Sequence, residues 1–124
     1  MHAEIMLFAK DVEITSKWYQ DFLGLQGGHG GPEYEMLKDG DELLLQLHHT
    51  DADHDHGVSA GGVAGSGVIV FIHVDDVDAV HDKAVELRLE VVQAPHDNEL
   101  AGMREFTVRD LNGYTLTICK SRWG

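Results

Sequence analysis

Val68-Ile69-Val70-Phe71-Ile72-His73-Val74-Asp75-Asp76-Val77 is the stretch that decides the fold. Its first seven residues are apolar or alternating and predict a strand. Asp75-Asp76 then stands where a helix wants an N-cap and a negative charge near its positive end. Val77, Val80, Ala84 and Leu87 recur at helical spacing and give one apolar stripe through to about Leu89. The unit is a strand, an acidic cap and an amphipathic helix.

The same pattern lies 65 positions earlier, with Glu4 to Ala9 as the strand, Asp11 as the cap, and Val12, Thr15, Tyr19 and Phe22 as the stripe. A second correspondence has an offset of 71: Lys38-Asp39 falls on Arg109-Asp110, and Leu44-Leu45-Gln46 on Thr115-Leu116-Thr117. The change of offset is an insertion in the second copy, which a loop tolerates at little entropic cost. The chain reads as an internal duplication of a β-α-β-β-β module, an α+β fold.

Between these landmarks the reading is simpler. The first helix runs from Val12 to about Leu23 and ends at Gly24, a suitable C′ residue. Gly27-Gly28-His29-Gly30-Gly31-Pro32 reads as a flexible loop and lacks the spacing and helix of a phosphate cradle. Tyr34 to Lys38 and Leu43 to His48 form a hairpin around Asp39-Gly40. In the second module a strand from Glu90 to Ala94 leads to a loop from Pro95 to Gly102. A hairpin of Arg104 to Val108 and Tyr114 to Lys120 closes the chain.

The 124 residues suit one small domain or two half-domains, with no apolar run long enough to span a bilayer and nothing like a signal peptide. A soluble, cytoplasmic protein is expected. The lone Cys119 excludes an internal disulfide framework. A formal charge of −13 argues against nucleic acid and anionic membranes, and suits either simple solubility or a cationic ligand.

Side chains alternate across a strand, so four strands can be split into two faces. One carries Ile5, Leu7, Ala9, Leu43, Leu45, Leu47, Val70, Ile72, Val74, Leu116 and Ile118, all apolar, and is the face for helices to cover. The other mixes Glu4, Met6, Phe8, Leu44, Gln46, His48, Ile69, Phe71, His73, Thr115, Thr117 and Cys119. Apolar walls with a few polar groups suit a small-molecule cleft, the alternative being an interface between modules or subunits.

The helix end Lys17-Trp18-Tyr19-Gln20-Asp21-Phe22-Leu23-Gly24-Leu25 carries a family signature. So does Gly102-Met103-Arg104-Glu105-Phe106 with Arg109-Asp110-Leu111-Asn112-Gly113-Tyr114, in which Leu111 replaces a usual proline. With the duplication, they make the chain resemble the vicinal oxygen chelate superfamily: glyoxalase I, bleomycin-resistance and fosfomycin-resistance proteins and extradiol dioxygenases. The resemblance implies one domain over residues 1–124, with module one at 1–49, a linker at 50–67 and module two at 68–124. It also implies a curved, cleft-enclosing mixed sheet and a homodimer.

In metal-dependent members four inward positions carry His, Glu or Gln ligands, and here they fall on Glu4, Gln46, Ile69 and Thr117. Ile69 cannot coordinate and Thr117 is a poor ligand, so no metal is expected at the family site. His48 and His73 lie two residues further along, about 6.6 Å away. At and after the end of module one, His49, His54 and His56 alternate with Asp51, Asp53 and Asp55, a set that could chelate a metal adventitiously; Gly57 comes one position late for a calcium loop and the twelfth position is not Glu. That segment reads as a solvated linker.

The leading expectation is metal-independent binding of a small, cationic organic ligand, as in the bleomycin-resistance branch. Glu4, Met6, Phe8, Gln46, His48, Phe71, His73 and Thr117 would line the site, and Arg104 would fix an anionic group or pair with a local acid. Glu4 is also a candidate base or cation receptor. Trp18 and Tyr19 read as helix packing, Trp123 as a cover for a partner or cleft mouth, and Cys119 as a small buried hydrophobe. The alternatives are a glyoxalase-like lyase or dioxygenase, with Glu4 and His48 or His73 around a divalent cation, and a degenerate module serving as an interaction domain.

Overall fold

The computed structural model describes residues 1–50 and 65–122. The chain forms two compact units, Met1–Ala64 and Gly65–Gly124. The linker acids and histidines from Asp51 to His56, and Trp123, lie outside the described residues.

The first unit contains β1 (Met6–Ala9), α1 (Val12–Leu23), β2 (Gln26–Gly27), β3 (Tyr34–Asp39) and β4 (Glu42–His49). Its sheet has the order β1-β4-β3-β2, with β1 and β4 parallel and the other pairs antiparallel. The second unit repeats this with β5 (Ile69–His73), α2 (Val77–Glu86), β6 (Glu90–Asn98), β7 (Met103–Arg109) and β8 (Thr115–Ser121), in the order β5-β8-β7-β6. Met6 pairs with Gln46 in the first parallel ladder and Phe71 with Thr117 in the second. Those pairs are related by the offsets of 65 and 71, so the duplication holds residue by residue.

The helices start where the sequence says they should. Asp11 and Asp76 have extended backbones, and each side chain accepts a hydrogen bond from the third residue on, Ile14 N or Ala79 N, at 3.0 Å. These bonds satisfy backbone donors that the first helical turn leaves unpaired. Gly24 ends α1 in the left-handed region (φ 69°), donating to Gln20 O at 2.9 Å.

The second helix stops at Glu86, short of the expected Leu89, because Arg88 turns the chain with φ 58°. Arg88 N then bonds Val85 O and Leu89 N bonds Ala84 O, both at 3.0 Å, which is a Schellman turn with arginine where glycine is usual.

Each unit has its own core on the helix side of its sheet. In the first, Leu7, Ala9, Leu37, Leu45 and Leu47 meet Val12, Tyr19 and Phe22, all buried. In the second, Val70, Ile72, Phe106, Val108, Leu116 and Ile118 are buried along with Val77 and Ala84 of α2. Of the expected apolar face, Leu43 and Val74 are only half-buried and Ile5 is 40 % exposed, since β1 begins only at Met6 and leaves Glu4 and Ile5 outside it.

Two further expectations are corrected. Gln26 and Gly27, the second of them the first residue of the expected loop, form β2 against Lys38 and Leu37. Likewise β6 continues past Pro95 to Asn98. Proline is accommodated there because β6 is an edge strand whose pairing with β7 shifts register twice, between Val91 and Gln93 and between Gln93 and His96.

A left-handed backbone costs a non-glycine residue about 1–2 kcal/mol, part of which a flexible glycine gives back to the unfolded chain. Arg88→Gly is therefore expected to stabilise the protein by roughly 0.5–1 kcal/mol in urea denaturation. An unchanged or lowered midpoint would show that the arginine side chain holds the turn by other means.

Candidate functional site

On the side of the first sheet away from α1, Met6 and Phe8 of β1 stand beside Gln46 and His48 of β4, which in turn face Met36 and Tyr34 of β3. The centre of this open face is polar: Tyr34 Oη donates to Gln46 Oε1 at 2.5 Å. Burial, then the charges of Glu4 and Glu35, raise the Tyr34 phenol above its ordinary pKa, so it remains a donor at neutral pH. Around that bond the surface is apolar and aromatic. Phe8 packs against the buried His48 ring at 5.4 Å between centroids, and His48 Nδ1 lies 2.9 Å from His49 O. Glu4 stands beyond the strand with its side chain half exposed, 3.6 Å from His2 Nε2.

One rim of this face is built by a buried carboxylate. Glu35 belongs to the helix side of β3, next to Leu37 in the alternation, and its Oε1 accepts from four backbone N–H groups. They belong to His29 at 2.7 Å, Met36 at 2.8 Å, and Gly28 and Gly30 at 3.1 Å each. Burial pushes the Glu35 carboxyl up, but the four donors outweigh it and hold the group below its usual range. A Cβ at Gly27 would sit 2.8 Å from Glu35 Oε2, so a larger residue there would have to displace the carboxylate. The glycine-rich segment is thus tied down through residues 28–30, and it sets the His29 ring edge-to-face against Tyr34 at 5.1 Å.

The corresponding face of the second unit carries different chemistry. Ile69, Phe71 and His73 are exposed along β5, with Ile69 at 54 % and Phe71 at 48 %. Thr117 is buried, its hydroxyl 3.1 Å from that of Thr107, and Asn98 Nδ2 donates to Glu105 Oε1 at 2.6 Å. Burial, and then Glu105, push the Cys119 thiol up, so it is protonated; it reaches Ile72 O at 3.6 Å.

Arg104 does not share this face. It alternates with Glu105 onto the helix side of β7, where it forks onto Asp78 at 2.8 and 2.9 Å and reaches Asp97 at 3.2 Å. The Asp78 carboxyl is lowered mainly by that hydrogen bond. A groove of about 390 Å³ lies there, lined by Arg104, Lys120 and Arg122 together with Asp75, Asp78 and Asp97. Its cations are already matched: Lys120 Nζ donates to Asp75 O, and Arg122 pairs with Glu99. It is a charged clamp at the start of α2, on the side of the sheet opposite Phe71 and Thr117.

Of the residues expected from sequence, the first unit therefore groups Met6, Phe8, Gln46 and His48, with Glu4 at the end of the strand. The second groups Phe71, His73 and Thr117, and sets Arg104 apart. Tyr34, Met36 and His29 were missed. Tyr34 and Met36 were legible in principle, since β3 alternates as β4 does; His29 was not, because what holds it is a carboxylate several residues away.

Three of the four residues expected at the family's metal positions are poor donors as they stand. Ile69 has no donor atom, the Thr117 hydroxyl is engaged by Thr107, and Gln46 Oε1 is engaged by Tyr34. Among the described residues no three His, Cys, Asp or Glu side chains converge. No helix among them is long and apolar enough to cross a membrane.

Comparison with solved structures shows the same fold in proteins of low identity. TioX from Micromonospora sp. ML1 is 22 % identical with a TM-score of 0.74, over 98 % of this chain and 96 % of that one. A lactoylglutathione lyase from Agrobacterium tumefaciens is 22 % identical with a TM-score of 0.75, over 99 % and 95 %. A glyoxalase/bleomycin resistance protein/dioxygenase from Nocardioides is 17 % identical with a TM-score of 0.77, over 100 % and 85 %. No curated protein matches the sequence. The family profile described as Glyoxalase/Bleomycin resistance protein/Dioxygenase superfamily matches residues 2–118. Duplicated modules, shared fold and a profile match over nearly the whole length agree: the chain belongs to the glyoxalase/bleomycin resistance protein/dioxygenase superfamily.

Proposed function

We propose that this chain binds a small, planar, cationic organic molecule without a metal, and that the open face of its first sheet is the principal recognition surface. The observation that carries this is the Tyr34–Gln46 hydrogen bond set among Met6, Phe8, Met36 and His48. An apolar wall with one fixed polar pair accepts an aromatic body and orients it. Phe8 and Tyr34 are half-buried aromatic rings of the kind that attract a cation, and the half-exposed Glu4 offers it a counter-charge. The excess of acids, 22 Asp and Glu against 9 Lys and Arg, raises the local concentration of cations. Phe71, His73 and Thr117 supply the second unit's contribution on its own open face. The same reading has two copies associating, supported by Ile69 and Phe71 standing exposed side by side on β5.

A planar cationic probe such as 9-aminoacridine tests the reading. At ten times its Kd it should stabilise the fold by about 1.4 kcal/mol, a rise of several degrees in melting temperature. The rise should be the same with and without EDTA. No shift across a panel of cationic aromatic compounds would overturn the proposal. So would stoichiometric metal in protein purified without an affinity tag and lost on Glu4→Ala, which is the result a lyase or dioxygenase would give.

Two variants probe the recognition surface itself. Phe8→Ala should weaken the probe by about tenfold, the loss of one aromatic contact and its burial. Tyr34→Phe should weaken it by roughly fivefold by freeing Gln46, one hydrogen bond's net worth. Sedimentation at micromolar concentration should give twice the 13.7 kDa chain mass.

A further inference from the structure

We infer that Glu35 is a positioning residue for ligand recognition: from the helix side of the first sheet, its carboxylate sets the His29 ring at the rim of the opposite face. This rests on the reading that the open face of that unit binds a ligand. The chain of contacts is continuous. One oxygen of Glu35 collects the N–H groups of Gly28, His29 and Gly30, three successive donors, together with its neighbour Met36. Successive backbone N–H groups turned inward form an anion nest, and here the anion belongs to the protein. The nest fixes the backbone of His29, and His29 Nδ1 lies 2.6 Å from Gly30 O. With backbone and ring both held, the imidazole meets Tyr34 edge-on at 5.1 Å, and Tyr34 in turn holds Gln46.

A stretch rich in glycine has much freedom to lose, so without an anchor the cost of ordering it would fall on binding. The Glu35 carboxylate settles that cost in the folded protein before any ligand arrives. His29, exposed and aromatic beside Tyr34, then becomes a preformed wall at the edge of the face. The consequence for specificity is a ligand broad enough to reach from Phe8 and Met6 across Gln46 to the imidazole.

The test is a double-mutant cycle on 9-aminoacridine affinity, joined to amide exchange in the absence of ligand. Glu35→Ala and His29→Ala should each weaken the probe by about tenfold, and the double variant should be no weaker than either alone, since both remove the same wall. Sodium acetate should restore binding to Glu35→Ala by refilling the nest, while sodium chloride at equal ionic strength should not. Additive losses in the double variant, or Glu35→Ala without effect on the probe, overturn the inference.

Amide exchange decides the matter without a ligand. The N–H groups of His29 and Gly30 should exchange about a hundredfold more slowly than in an open chain, and Glu35→Ala should abolish that protection, while Gly28 N–H, which also donates to Met36 O at 2.8 Å, should keep its own. If Glu35→Ala fails to fold, Glu35→Gln keeps the volume and one acceptor oxygen, and should give partial loss of both protection and affinity. Failure of the wild type to bind the probe would count against the ligand reading, whereas unprotected amides in the wild type would sink the role of Glu35 whether or not a probe binds.

Discussion

Parallel strands cannot be joined by a tight turn, and in both units the first and last strands are parallel neighbours. The chain must therefore leave β1, cross over through α1, and come back through β2 and β3 before β4 can lie beside its starting point; β5 to β8 do the same. That constraint commits one face of each sheet to a helix. It also fixes by alternation which side chains stay on the other face. Phe8 and His48, or Phe71 and Thr117, are brought together by ladder register, not by proximity in the chain. The open face is the remainder left when the core has been assigned.

Once the backbone plan is shared, the two copies are free to differ in what they present. Gln46 and Thr117 hold equivalent places in the ladder, and so do Tyr34 and Glu105. The first copy spends its polar groups on one phenol–amide bond surrounded by methionine, phenylalanine and histidine. The second pairs hydroxyl with hydroxyl and carboxylate with amide, and leaves Ile69 and Phe71 in view.

Much of this was legible in the residues. The aspartates that cap both helices, the apolar stripes and the alternation of the strands are local signals, and the offsets of 65 and 71 carried them from one copy to the other. The misses have physical causes. The glycines at 27 to 31 signal freedom, yet their order comes from the Glu35 carboxylate, and a pattern read along the chain does not reveal a bond to a buried side chain. Pro95 signals a break, but an edge strand with two register shifts absorbs it. Of the two readings open to Arg104, pairing with a local acid holds: it shares the helix side of β7 with Phe106 and reaches Asp78 and Asp97. Arg88 in the left-handed region has no sequence signal, because glycine is the residue that usually announces such a turn.

The outermost strands on one side of each sheet have a bearing on how the protein behaves when crowded. β2 is two residues long, and β6 has a proline and two irregularities in its pairing with β7. An unpaired strand border is a template on which other chains can stack, and fibres grow where it is long, flat and regular. A border of two residues gives too little to grip, and a strand that carries Pro95 and breaks register twice is neither flat nor regular. Growth by strand stacking is thereby discouraged at both places, and the exposed apolar groups elsewhere on the sheets are left for more selective company.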